Sequence, residues 1–214
     1  MILAAIVLVL SYLLGSLPFG VWIGRWWKKT DIRSYGSGNT GTTNALRVLG
    51  PWGALPVLIG DVGKAALAVA LARWAAGGGT VLMRAWGGTG DLPSWAGSWL
   101  PMLSAIAAVL GHNWSVFLRF RGGKGVASTF GAWLVLNPWP TILIFLLWLA
   151  VVWCTRYVSV GSLTSALAWP FVLVGWPSPG VQVIGAGILA ILAFYRHWPN
   201  LRRLWEGTEH SFHL

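Results

Sequence analysis

Charge is what this 214-residue sequence has least of: 9% of its residues are Asp, Glu, Lys or Arg, against 56% apolar. A water-soluble fold needs far more polar surface than that, so the chain is expected to be an integral membrane protein. Cysteine is nearly absent. Cys154 is the sole one and lies in an apolar run, which excludes an intrachain disulfide and a cysteine metal cluster. No His/Glu grouping has metal-ligand spacing, and neither G-x-S-x-G nor a Ser-His-Asp pattern is present, so neither metal nor cofactor is implied. Acidic residues are few, five against fifteen basic, for a net charge of +10. The basic residues are spread between apolar runs rather than gathered in one stripe, which favours anionic lipid and anionic substrates over nucleic acid. Residues 1–24 have no charged side chain, no basic n-region and an apolar run too long for a signal peptide, so they read as a retained first span.

Arg25, Trp26, Trp27, Lys28 and Lys29 mark the exit of that span with an aromatic belt followed by positive charge, which places the N-terminus outside. A polar, glycine-bearing inner loop is expected over 30–50, with a short helix from Thr42, and a second span over 51–72 carrying Asp61 and Lys64. Residues 73–94 read as an outer loop and 95–117 as the third span. The fourth run, 125–136, is short for a bilayer, and either spans or re-enters. A turn at 137–140 leads to spans over 141–154, 160–175 and 181–195, with a polar inner tail from 196. Charge supports this layout independently: twelve of the fifteen Lys and Arg fall on the inner side, against Arg73 and Arg84 outside and Lys64 within a span. The expected fold is one all-α domain over 1–214, a bundle of seven transmembrane helices with the N-terminus outside and the C-terminus cytoplasmic. Five spans, with the two weak helices folded back, would keep the same sidedness.

Three polar segments then face one side. GHNWSVFLRFRGGKGVAST, from Gly111, holds Arg119, Arg121 and Lys124 around glycines, and charges of that kind cost roughly 2.5 to 3.5 kcal/mol each at the centre of a bilayer. The run therefore lies at a wet face. Glycine amides with cations suit an anion, and a plain positive-inside anchor would look the same. In the first inner segment, Ser37, Asn39, Thr42, Thr43, Asn44 and Arg47 suit a polyoxygen or phosphate ligand, or else form a turn with Thr42 capping a helix. Asp61 and Lys64 share a helix face, as a functional pair or as an ion pair that fixes packing. His112 and His197 each stand at the inner end of a span, where a histidine is a cap or a catalyst.

Taken together the segments resemble the bacterial acyl-phosphate:glycerol-3-phosphate acyltransferase family. GSGNTGTTNALRVLG is similar to its first motif, DVGKA to its D-x-x-K element, GHNWSVFLRFRGGKGVAST to its second motif and RHWPNLRRLWEGTEH to its third. Thr40 and Thr42 stand where Pro and Ala are usual, and Trp114-Ser115 where Phe-Pro is usual. The resemblance implies seven transmembrane helices in the bacterial cytoplasmic membrane, with the active site facing the cytoplasm. It implies transfer of a fatty acyl group from acyl phosphate to the 1-hydroxyl of sn-glycerol 3-phosphate, the first acylation of phospholipid synthesis. By the same resemblance Ser37, Arg47, His197 and Asn200 are catalytic, and Gly38, Asn39, Thr43, Asn44, Gly122, Gly123, Lys124, Gly125 and Ser162 bind substrate. Glu209 or Glu206 would be structural. The rival readings from the residues alone are a small anion or lipid transporter and a non-catalytic scaffold; no internal repeat of the transporter kind is evident.

Overall fold

The computed structural model describes residues 2–77 and 95–211; most of the expected outer loop, with Arg84, lies outside them. The described residues are helical, with no strand among them, and the chain divides into two compact units, Met1–Leu136 and Asn137–Leu214.

The first unit contains α1 (Ile2–Ser16), α2 (Phe19–Lys28), α3 (Thr42–Leu49), α4 (Pro51–Gly77), α5 (Ala96–Asn113) and α6 (Val126–Leu136). The expected first span is two helices. Pro18 cannot donate a backbone N–H and disfavours helical geometry at the residue before it, so the chain breaks at Leu17 and Pro18 before resuming as far as Lys28. The break frees the Leu17 carbonyl, which Lys64 uses. Helix α1 packs on α5 at near-backbone distance: a Cβ on Gly15 would stand 2.0 Å from the Ala108 carbonyl oxygen, and one on Gly111 2.1 Å from that of Tyr12. Ser16 and Tyr12 fasten the end of this pair, the Ser115 hydroxyl donating to the Ser16 carbonyl at 2.6 Å and the Tyr12 hydroxyl to that of Trp114 at 2.7 Å.

Helix α4 runs five residues past its expected end, so Arg73 is helical rather than in a loop. Its guanidinium donates to the Leu136 carbonyl at 3.0 Å, serving an otherwise unpaired acceptor at the C-terminus of α6. Helix α6 has 11 residues and is about 16 Å long at 1.5 Å per residue, half the thickness of a hydrocarbon core.

The second unit holds α7 (Pro138–Thr155), α8 (Val158–Val174), α9 (Gly180–Arg196) and α10 (Trp198–Trp205). The expected turn at 137–140 is instead the first turn of α7, where proline is tolerated because the N–H it lacks would have no partner there. Helices α7, α8 and α9 pack in chain order. Among the described residues four stretches are long and apolar enough to cross a membrane: Ile2–Lys28, Pro51–Gly77, Ala96–Leu118 and Pro138–Thr155. The pair α9 and α10 is bent by 56° and, counted as one span, would be a fifth; α6 and α8 are shorter apolar helices.

Candidate active site

The first motif is built around one side chain. Asn44, on α3 and 1% exposed, donates through Nδ2 to the carbonyls of Ile32 (2.8 Å), Asn39 (2.9 Å) and Tyr35 (3.2 Å). Its Oδ1 accepts the Ser37 N–H at 2.9 Å. An amide is suited to this because it offers donors and an acceptor on one planar group, so a single residue can serve both polarities of a folded-back loop. Asn44 thus shapes the loop from inside. Ser37 stands half-buried on its outer turn beside Gly38, whose φ is +68°. Asn39 Oδ1 accepts the Gly41 N–H at 3.0 Å in a local turn. Helix α3 starts at Thr42, with Gly41 rather than Thr42 at the cap position; Thr43 is half-buried in its first turn and Arg47 exposed further along. The loop's entry is pinned by Asp31, which accepts from Arg33 at 2.7 Å. That bond, against a smaller effect of burial, holds the Asp31 carboxyl below its ordinary range.

In the same unit, the second motif crosses back over the end of α5. The Gly123 N–H donates to the His112 carbonyl at 2.9 Å and the Gly122 N–H to that of Asn113 at 3.2 Å. Lys124 follows, half-buried, and Gly125 turns the chain at φ +82° into α6. The loop lies so close to α5 that a Cβ on Gly122 would be 2.0 Å from the His112 carbonyl oxygen. Only glycine permits that approach. The two motifs are linked through a small pocket, lined by Thr40 from the first and by His112, Ser115 and Leu118 from the second, together with Asp61 and Lys64.

The third motif lies in the second unit. His197, at the corner between α9 and α10, has Nδ1 2.8 Å from the Ala193 carbonyl. A carbonyl only accepts, so Nδ1 carries a proton and, in the neutral ring, Nε2 is the acceptor nitrogen. Asn200 Nδ2 donates to Glu209 Oε1 at 2.6 Å; the same oxygen accepts from Ser159 at 3.0 Å, and Oε2 from Arg203 at 2.8 Å. Burial raises the Glu209 carboxyl, but the bonds from Asn200, Arg203 and Ser159 outweigh it and leave the group below its ordinary value. Of the two acidic residues of the tail it is Glu209 that carries structure. Glu206 forms an exposed pair with Arg202 one turn away. Ser162 donates to the Val158 carbonyl at 2.8 Å and accepts from Trp148 Nε1 at 3.3 Å. The Glu209 hub spans 50 residues from Ser159, a distance at which no local pattern could have signalled it.

The helices and these segments define an all-helical integral membrane protein with polar glycine-rich loops on apolar supports. A family model described as "Glycerol-3-phosphate acyltransferase" matches residues 5–207. The chain is 42% identical to glycerol-3-phosphate acyltransferase 2 of Moorella thermoacetica over 95% of each chain. It is 45% identical to a glycerol-3-phosphate acyltransferase of Thermus thermophilus, over 94% of this chain and 92% of that one. Among solved structures it is similar to PlsY, an integral membrane glycerol 3-phosphate acyltransferase in its glycerol 3-phosphate form. The TM-score is 0.82 at 32% identity, covering 98% of this chain and 96% of that one. The lysophosphatidic acid form of the same protein matches with a TM-score of 0.80 at 31% identity. The chain belongs to the glycerol-3-phosphate acyltransferase family.

Proposed function

We infer that this chain catalyses acyl transfer from an acyl phosphate to the 1-hydroxyl of sn-glycerol 3-phosphate. The products are lysophosphatidic acid and inorganic phosphate. Membership of the family across residues 5–207 carries the reaction class, and solved relatives hold both glycerol 3-phosphate and lysophosphatidic acid. The acyl phosphate donor is what the resemblance to the acyl-phosphate-dependent family implies, and the site chemistry is compatible with it. An acyl phosphate is already activated, because phosphate leaves readily, so the chain needs no acyl-enzyme and no nucleophilic triad. The glycerol oxygen bonds to the acyl carbon, the bond from that carbon to the phosphate oxygen breaks, and the hydroxyl proton ends on the released phosphate. Positioning and charge neutralisation supply the acceleration.

In this reading Lys124 holds the phosphate of glycerol 3-phosphate, on a glycine loop whose Gly122 and Gly123 N–H groups are given to α5 carbonyls and so fix its shape, and Arg47 neutralises a second phosphate group. Ser37, Asn39 and Thr43 orient oxygens on a loop whose shape Asn44 and Gly38 maintain. Asn200, held by Glu209, orients the acceptor, and Ser162 lies on the substrate path. His197, with Nδ1 committed to a carbonyl, has Nε2 in the state that orients or deprotonates a hydroxyl. A phosphate oxygen of the substrate is the other proton acceptor. His197→Gln decides between them: a pH-rate profile of unchanged shape excludes the histidine as base.

The chain is also inferred to cross a bacterial cytoplasmic membrane seven times, N-terminus outside, with these segments at the cytoplasmic face. Four long stretches support four of those crossings and the bent pair a fifth, and a count of seven requires the shorter α6 and α8 to cross as well. The deciding experiment is direct. Purified protein given palmitoyl phosphate and glycerol 3-phosphate should release phosphate and form lysophosphatidic acid in equal amounts. Phosphate release that does not depend on glycerol 3-phosphate, or none at all, overturns the assignment. Lys124→Ala should raise KM for glycerol 3-phosphate more than for palmitoyl phosphate, and equal effects would remove its assigned ligand.

A further inference from the structure

Asp61, Lys64 and His112 are each at most 6% exposed and form a cluster that the reading above leaves without a part. Lys64 Nζ lies 2.7 Å from Asp61 Oδ1, 3.0 Å from His112 Nδ1 and 2.9 Å from the Leu17 carbonyl exposed by the break at Pro18. Asp61 Oδ1 is also 3.4 Å from His112 Nδ1. Nδ1 therefore stands between an ammonium, which can only donate, and a carboxylate, which can only accept. The ring's orientation is thereby set from below by two charged groups.

Its other edge meets the loop. A Cβ on Gly123 would lie 2.0 Å from His112 Nε2, so the loop backbone rests against the imidazole, while the Gly123 N–H reaches the His112 carbonyl at 2.9 Å. Beyond the loop, at the start of α6, the Ser128 hydroxyl donates to the backbone carbonyl of Asp61 at 3.1 Å. One end of the glycine segment is therefore fastened to α5 at His112, which Lys64 contacts, and the other to α4 at Asp61. Thr40 of the first motif lines the pocket beside the same three residues. Stability alone does not call for these charges, because well-packed apolar side chains often replace a buried ion pair without loss. What they add is a fixed position for one ring.

We propose that Asp61, Lys64 and His112 are positioning residues, a buried clamp that sets the shape of the 122–125 loop and through it the affinity for glycerol 3-phosphate, without touching substrate. The inference rests on the reading that this loop holds the glycerol phosphate.

The test measures KM for both substrates, kcat and the melting temperature for His112→Ala, for the pair Asp61→Leu with Lys64→Met, and for Lys124→Ala. The first two should raise KM for glycerol 3-phosphate about ten-fold, equivalent to about 1.4 kcal/mol, with KM for palmitoyl phosphate and kcat within about two-fold. Lys124→Ala added to His112→Ala should cost less than it does alone, because both act through one contact. Should the charge pair variant fail to fold, His112→Gln, which keeps a polar side chain, gives an intermediate rise in the same KM. Folded variants that leave that KM unchanged, or raise both KM values alike, while Lys124→Ala still separates the two substrates, overturn the clamp and spare the loop assignment. If Lys124→Ala does not separate them, the loop assignment falls and the clamp falls with it.

Discussion

Asn44 shows why a motif residue can matter without meeting a ligand. Its side chain serves three carbonyls and one N–H inside the first-motif loop, so Asn44→Ala leaves several buried groups unpaired. The expected loss is about 2 to 4 kcal/mol of stability, read as a lower melting temperature, together with falling kcat. At Glu209 the consequence is one of pH. Its carboxyl titrates below its unfolded value, so the ionised group stabilises the fold fully above that unfolded value and the stabilisation fades as pH falls through the folded one. Melting temperatures measured downward from pH 7 should therefore decline in acid, and Glu209→Gln should be less stable at pH 7 with a flatter acid limb. Of these groups, Asn44, Asn200 and Glu209 could be picked out of the sequence, but not their partners, which lie in backbone carbonyls and in side chains that only folding brings near.

Among the helices, the apolar runs were legible and their ends were not. Proline explains two of the differences. Pro18 splits a run that hydropathy reads as continuous, and Pro138 starts a helix where two prolines suggested a turn. The pairing of α1 with α5 was also hidden, because a glycine in an apolar run carries no sign of what it faces. Gly15 and Gly111 leave room for backbone alone. Gly15→Val and Gly111→Val should each force the helices apart and cut the yield of monodisperse protein in detergent several-fold, as size-exclusion chromatography would record. Gly97→Ala, with nothing near its position, should leave that yield unchanged.

For the whole molecule, the inferred topology makes a prediction of sidedness. In a Cys154→Ser background, a cysteine replacing Ser178 should react with a membrane-impermeant maleimide on right-side-out vesicles. One replacing Ser211 should react only after the vesicles are opened. The reverse pattern would invert the chain, and with it the cytoplasmic placement of every segment assigned to substrate.

Composition alone determined that the chain lives in a membrane, since so few charges cannot cover a soluble surface. The resemblance of its polar segments to a known family implied its chemistry, whereas the basic residues by themselves required only a wet edge of the membrane, since they cannot lie in hydrocarbon. Tertiary structure decided the rest. It turned Asn44 inward, made Glu209 the hub of the tail, and gave the Asp61 and Lys64 pair a histidine and a loop to hold. Those contacts join residues up to 50 positions apart, and that from Tyr12 to Trp114 spans 102; geometry across such separations is set by packing and not by any local run of side chains.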